Sequence, residues 1–141
     1  MAAFLFKTEP SDYSFADLAR QKRCVWGGVT NAAALIHLRS VRKGDDVFIY
    51  HTGDERAVVG LARAATDAYE DLKKPGNTAT GQPKFAVVDL VPVCAAKTPV
   101  ALAAIKADKQ FAKFGLVTQG RLSVMPVGAE LDGVLRKMAG L

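Results

Sequence analysis

Lys43-Gly-Asp-Asp-Val-Phe-Ile-Tyr-His-Thr52 is the stretch on which the fold turns. Within it, Asp46 to His51 is rich in β-branched and aromatic residues, the types that suit a pleated strand. A period of two puts Val47, Ile49 and His51 on one face and Phe48 and Tyr50 on the other. Both faces are largely apolar, so this strand is expected to run through the middle of a sheet. Tyr50 and His51 close it, beside the turn Thr52-Gly53-Asp54.

Further strands are read on either side. Phe4 to Thr8 is the first, ended by Pro10, which has no N–H to give a ladder. Ala57 to Ala65 and Phe85 to Cys94 follow, with Gly60 marking a bulge or a close approach. Leu122 to Met125 is a short strand stopped by Pro126. Ser14 with Asp17 forms a capping box for a helix to about Arg20. Asn31 caps a second helix that ends around Lys43-Gly44-Asp45. Two more helices cover Ala101 to Ala107 and Ala129 to Met138, the latter with Leu131, Val134, Leu135 and Met138 on one stripe. Phe111, Phe114 and Leu116 supply a local hydrophobic patch, and Leu72 to Pro83 reads as a loop. Strands and helices do not alternate as regular βαβ units, so a doubly wound sheet is set aside. The expectation is an α+β domain in which a mixed sheet curls toward a barrel, with short helices packed around it.

The chain has 141 residues, which fits one domain over 1–141 that builds its core without metals or disulfides. Its 19 Lys and Arg against 14 Asp and Glu give a net charge of +5, a mild excess compatible with a nucleic-acid partner or with an ordinary surface. No apolar run reaches the ~18 residues of a membrane span. The N-terminus lacks a basic region ahead of its apolar residues, so it is not read as a signal peptide. Cys24 and Cys94 are far apart, match no zinc or redox spacing, and are expected to stay reduced in a cytoplasmic protein. Neither a metal site nor a cofactor is expected.

The stretch from Cys24 to Arg39 is the candidate working part. It holds the only tryptophan, Trp26, directly before Gly27 and Gly28, whose backbone freedom lets another molecule approach closely. Asn31, Ala34, Leu35 and Leu38 fall on one helical stripe, so the asparagine amide shares a side with the buried residues. A core tryptophan beside a plain loop is the competing reading. His37 lies off the stripe and is expected to face solvent. There is no Gly-x-Gly-x-x-Gly, phosphate loop or Gly-x-Ser-x-Gly, so dinucleotide, ATP and serine-hydrolase chemistry have no footing.

Five blocks, taken in order, resemble the EVE domain family: Phe4-Leu-Phe-Lys-Thr-Glu-Pro-Ser-Asp-Tyr-Ser-Phe15, Trp26-Gly-Gly-Val-Thr-Asn31, the Lys43 to Thr52 stretch, Val58-Val-Gly-Leu-Ala62 and Arg121-Leu-Ser-Val-Met-Pro-Val127. The resemblance spans Phe4 to the C-terminus. It implies a PUA-like pseudobarrel, the scaffold also of PUA, YTH and ASCH domains. It also implies binding of DNA or RNA, with a modified base of the methylated or hydroxymethylated cytosine kind held in a pocket. The matching positions, and hence the implied ligand-binding residues, are Lys7, Glu9, Trp26, Gly28, Val29, Asn31, Tyr50, His51, Arg121 and Ser123. The chain departs from the family pattern at Gly27, where Asp is common, at Thr30, where Arg is common, at Phe4, where Trp is common, and over Ala32 to Ile36, where Tyr-Gln-Ala-Arg-Asn is usual. These changes imply a different ligand or a smaller, more apolar cavity.

On this reading Trp26 stacks on the base and Asn31, with both donor and acceptor, reads its edge. Arg39, Arg42, Lys43 and Arg121 contact phosphates if they share a face. Lys7 and Glu9, two apart on a strand, form an ion pair or touch the ligand. Two alternatives remain open. One is a small ASCH-like amidohydrolase on a modified nucleoside, using Lys7, Thr8 and Glu9. The other is a protein- or metabolite-binding module docking through Phe111 and Phe114.

Overall fold

The strand read from Asp46 to His51 is indeed interior to the sheet, and its neighbours build outward from it in a computed structural model that describes residues 2–141. This strand, β3 (Asp46–His51), pairs in parallel with β1 (Ala3–Thr8), Phe6 lying opposite Ile49. Its other side pairs antiparallel with β4 (Ala57–Ala64), and β4 with the long β6 (Ala86–Ala101). β6 carries β2 (Cys24–Trp26) and the short β5 (Tyr69–Glu70), and β1 carries β7 (Val124–Val127). The order is β2-β6-β4-β3-β1-β7, with β5 off this path on β6. Among the described residues five helices pack around the sheet: α1 (Phe15–Gln21), α2 (Ala32–Arg39), α3 (Leu102–Ala107), α4 (Gly115–Thr118) and α5 (Ala129–Ala139). A 3₁₀ turn at Lys109–Phe111 links α3 to α4. The result is a mixed α+β fold, a curled PUA-like pseudobarrel. Val47, Phe48 and Ile49 are completely buried, as an interior strand with two apolar faces requires.

Local chemistry explains the two helices that frame the site. Ser14 Oγ accepts from Asp17 N–H at 3.0 Å, and Asp17 Oδ2 accepts from Ser14 N–H at 2.9 Å, so the capping box at α1 is complete. Asn31 Oδ1 accepts from Ala34 N–H at 3.0 Å and caps α2. That helix ends at Arg39 rather than at Gly44. Ser40 Oγ donates to the His37 carbonyl at 2.6 Å and Val41 N–H to the Leu38 carbonyl, closing the last turn with local bonds. Gly44 instead takes a left-handed φ of 93° in the turn before β3.

Several boundaries differ from the sequence reading. Cys24 to Trp26, taken as the approach to a turn, is a strand that pairs with Leu90, Asp89 and Val88. Three residues are too few to show a period, and the pairing comes from β6. β6 itself continues to Ala101 past a bulge: Gly60 faces Ala95 while Val58 faces Val100. Pro126 lies within β7 instead of ending it, because this strand is at the edge of the sheet, where a missing N–H is tolerated. Phe111 and Phe114 are buried against each other, ring centroids 5.8 Å apart, so they form core and no exposed docking patch.

Gly60 meets both expectations placed on it, a register shift and a close approach. A Cβ at this position would stand 2.6 Å from Phe15 Cε1, a buried ring with little room to move. Gly60→Ala is therefore expected to lower stability by about 1–3 kcal/mol through overpacking. The midpoint of urea unfolding measures this.

Candidate functional site

Trp26 ends β2 with its indole packed on two rings. The Phe6 centroid lies 5.6 Å away at a tilt of 48°, and Tyr13 meets it edge-on at 6.0 Å. Only 9% of the residue is exposed, so the indole is a wall and not a free-standing platform. Beside it opens a concavity of about 600 Å³. Lys7 and Thr8 reach it from the end of β1, Tyr13 and Gln21 from either end of the α1 segment, and Ser123 from the approach to β7. The remaining wall is continuous chain, from Cys24 through Trp26 and Gly28 to Asn31. Gly28 has φ of 74°, the left-handed backbone that glycine adopts without cost, and nothing stands within 4 Å of where its Cβ would be.

The cavity is polar but nearly uncharged. Thr8 Oγ1 donates to the Tyr13 carbonyl at 2.7 Å, and the Tyr13 hydroxyl donates to Gln21 Oε1 at 2.8 Å. Burial, followed by its contact with Cys24, pushes the Tyr13 phenol above its ordinary value, and burial likewise pushes the Cys24 thiol up. Both keep their protons at neutral pH. The single charged side chain on the wall is Lys7. Its Nζ donates to the Gly120 carbonyl at 2.9 Å and lies 5.8 Å from the centre of the Tyr50 ring. Partial burial draws its pKa below the ordinary 10.5.

Of the positions singled out in the sequence, Lys7, Trp26, Gly28, Val29, Asn31 and Ser123 converge on this cavity. Because Asn31 Oδ1 is occupied by the α2 cap, its amide NH₂ is the group left to offer. Glu9, Tyr50 and His51 are not on the wall. Glu9 accepts from Ser11 and Thr52, with its carboxylate tucked against Gly53, and makes no pair with Lys7. Tyr50 is buried, which raises its pKa. His51 is a structural pin: Nε2 accepts from Phe15 N–H at 3.0 Å, so the ring proton sits on Nδ1, 2.7 Å from Glu55 Oε1. Arg121 borders a smaller hollow that shares Asn31 with the main cavity.

Arg39, Arg42 and Lys43 lie at the other end of α2, about 12 Å of helix away from Asn31. Arg39 and Arg42 line a separate hollow with Asp67 and donate to backbone carbonyls. The Lys43 N–H donates to Asp67 Oδ1 at 2.8 Å. They are therefore not gathered with Trp26. Lys7 and Thr8 share the cavity wall but Glu9 does not, so the three residues of an amidohydrolase reading are not gathered there. Among the described residues no group of three or more His, Cys, Asp or Glu could hold a metal ion. The implied ligand-binding positions omit Thr8, Tyr13, Gln21, Cys24, Val25, Gly27 and Thr30, which also line the wall. Adjacency to Trp26 signals the last four; the α1 pair is brought in only by tertiary packing.

A family model, EVE domain, matches residues 2–138. Human thymocyte nuclear protein 1 is 28% identical over 155 residues, which cover 90% of this chain and 69% of that protein. The NMR structure of Rpa0253 from Rhodopseudomonas palustris is 37% identical with a TM-score of 0.88, covering 99% of this chain and 94% of that one. The crystal structure of human THYN1 protein in complex with 5-methylcytosine containing DNA is 25% identical with a TM-score of 0.88, covering 100% of this chain and 99% of that one. The curated relatives carry nuclear names, which overturns the cytoplasmic location expected from the sequence.

Lys7 gives the site a pH signature. The folded protein releases the Lys7 proton below 10.5, whereas the unfolded chain holds it up to that value. In that interval the folded state binds fewer protons, and stability from this group rises with pH. The unfolding free energy of the wild type relative to Lys7→Met is thus expected to increase as pH climbs toward 10.5. Paired denaturant titrations across alkaline pH measure the difference.

Proposed function

The chain belongs to the EVE domain family, and on that premise we propose that it is a nucleic-acid-binding module, one domain over 1–141, whose cavity beside Trp26 holds a modified base of the methylated-cytosine kind. The observation that carries this reading is a concavity of about 600 Å³ with an indole wall, neutral hydrogen-bonding groups and one cation. Its size falls within the ~300–1,000 Å³ of small-molecule pockets. The human relative seen with 5-methylcytosine containing DNA supports the same ligand class.

The energetics are consistent. Taking a base out of a stack costs a few kcal/mol. Contact with an aromatic wall returns about 1–3 kcal/mol, at the lower end here because Phe6 and Tyr13 already cover much of the indole. Hydrogen bonds supply the rest. The Lys7 ammonium and the Asn31 NH₂ are donors suited to the ring nitrogen and carbonyl acceptors of cytosine. Val25 and Val29 offer apolar surface to a methyl group.

Trp26 is the only tryptophan, so emission excited at the red edge, where the three tyrosines do not absorb, reports on this cavity. Titration with an oligonucleotide bearing one 5-methylcytosine is expected to change the emission saturably, and more tightly than the unmodified oligonucleotide does. Trp26→Leu, checked for folding by circular dichroism, is expected to weaken binding measured with labelled oligonucleotide by about fivefold or more. Equal affinity for modified and unmodified DNA would reject base recognition.

A further inference from the structure

The main cavity does not stand alone. Asn31 also borders a hollow of about 290 Å³ that includes Ala33, Gly120 and Arg121. That hollow shares Gln119 and Leu122 with a third, of about 360 Å³, bordered by His37 and Lys113. The three form one path beside α2, and from Asn31 to His37 the helix advances about 9 Å.

The charges along this path have one sign. Lys7, Arg121 and Lys113 line successive hollows, and no carboxylate lines any of the three. Elsewhere the pattern breaks: Asp67 stands with Arg39 and Arg42, and Glu55 stands with Arg56 and Lys106. Arg121 and Lys113 are exposed, and among the described residues neither takes part in a salt bridge. Lys7 adds a second device, because its bond to the Gly120 carbonyl holds the loop that presents Arg121. A one-signed path leading out of a base-sized cavity complements a polyanionic chain, which carries a phosphate at every nucleotide.

We propose that the nucleic-acid strand carrying the held base leaves the Trp26 cavity over Asn31 and runs past Arg121 to Lys113, its phosphates facing those two cations. This rests on the cavity being the base site. The Arg39 and Arg42 hollow lies off the path and contributes no phosphate contact.

The test is the salt dependence of binding to an oligonucleotide with a single 5-methylcytosine, over roughly 50 to 200 mM salt. Arg121→Gln and Lys113→Gln are each expected to flatten the slope of log K against log salt by about 0.7–0.9, and the double variant by about twice that. Arg42→Gln is expected to leave the slope unchanged. Binding of the free nucleoside 5-methyl-2′-deoxycytidine, which has no phosphate, to the wild type is expected to show almost no salt dependence, which also reports the cavity apart from the path. Wild-type slopes in both path variants, with the oligonucleotide still bound, would overturn the path and leave the base site standing. So would a flattened slope in Arg42→Gln alone. A wild-type protein that binds no oligonucleotide would overturn both.

Discussion

The contact of Trp26 with Phe6 and Tyr13 is the constraint on which the site depends. Phe6 is a completely buried residue of β1 whose chain neighbours pair with β3 and β7. Tyr13 stands just ahead of the capping box that starts α1. By packing on both, the indole ties the three-residue strand β2 to the sheet and to α1 at once. A strand of that length has little stability from its own ladder. The burial of a large aromatic ring supplies what the ladder lacks. The cavity opens beside the indole, with Tyr13 also on its wall.

The polar groups around that cavity are organised to satisfy one another before any ligand arrives. Thr8 closes onto the Tyr13 carbonyl, Tyr13 onto Gln21, and Asn31 onto its own helix. Such bonds fix side-chain positions, so that a ligand meets a wall already set and pays little ordering entropy. Among the described residues no buried side-chain nitrogen or oxygen lacks a partner. His51 and Glu9 belong to this supporting layer. His51 holds the first turn of α1, and Glu9 holds the turn after β3, each at one remove from the cavity.

Much of the architecture was legible in the residues. β3 announced itself through two apolar faces, α1 through its Ser14 and Asp17 box, and α2 through the Asn31 cap. Gly60 was legible as a special position, though only the packed Phe15 ring shows why. What escaped was set by partners far along the chain. β2 is a strand because β6 pairs with it, and α2 ends early because Ser40 and Val41 bond locally. For the site, the Trp26 to Asn31 segment was legible as continuous chain. Tyr50 and His51 stand off the cavity wall, and a polar residue at a strand end looks the same in sequence whether it faces a pocket or caps a neighbouring helix. Helix α2 carries Arg39, Arg42 and Lys43 away from the cavity, a separation that residue types alone do not reveal.

The central claim is that a flat heterocycle enters the space beside Trp26. The most direct measurement is the proton–nitrogen NMR spectrum of the labelled protein during addition of 5-methylcytosine DNA, followed at the single indole N–H and at the backbone amides of residues 27–31. The account predicts that these signals move together and saturate at one equivalent, while those of Arg39 to Lys43 stay in place. Shifts confined to the Arg39 and Arg42 hollow, with the indole signal unmoved, would contradict it.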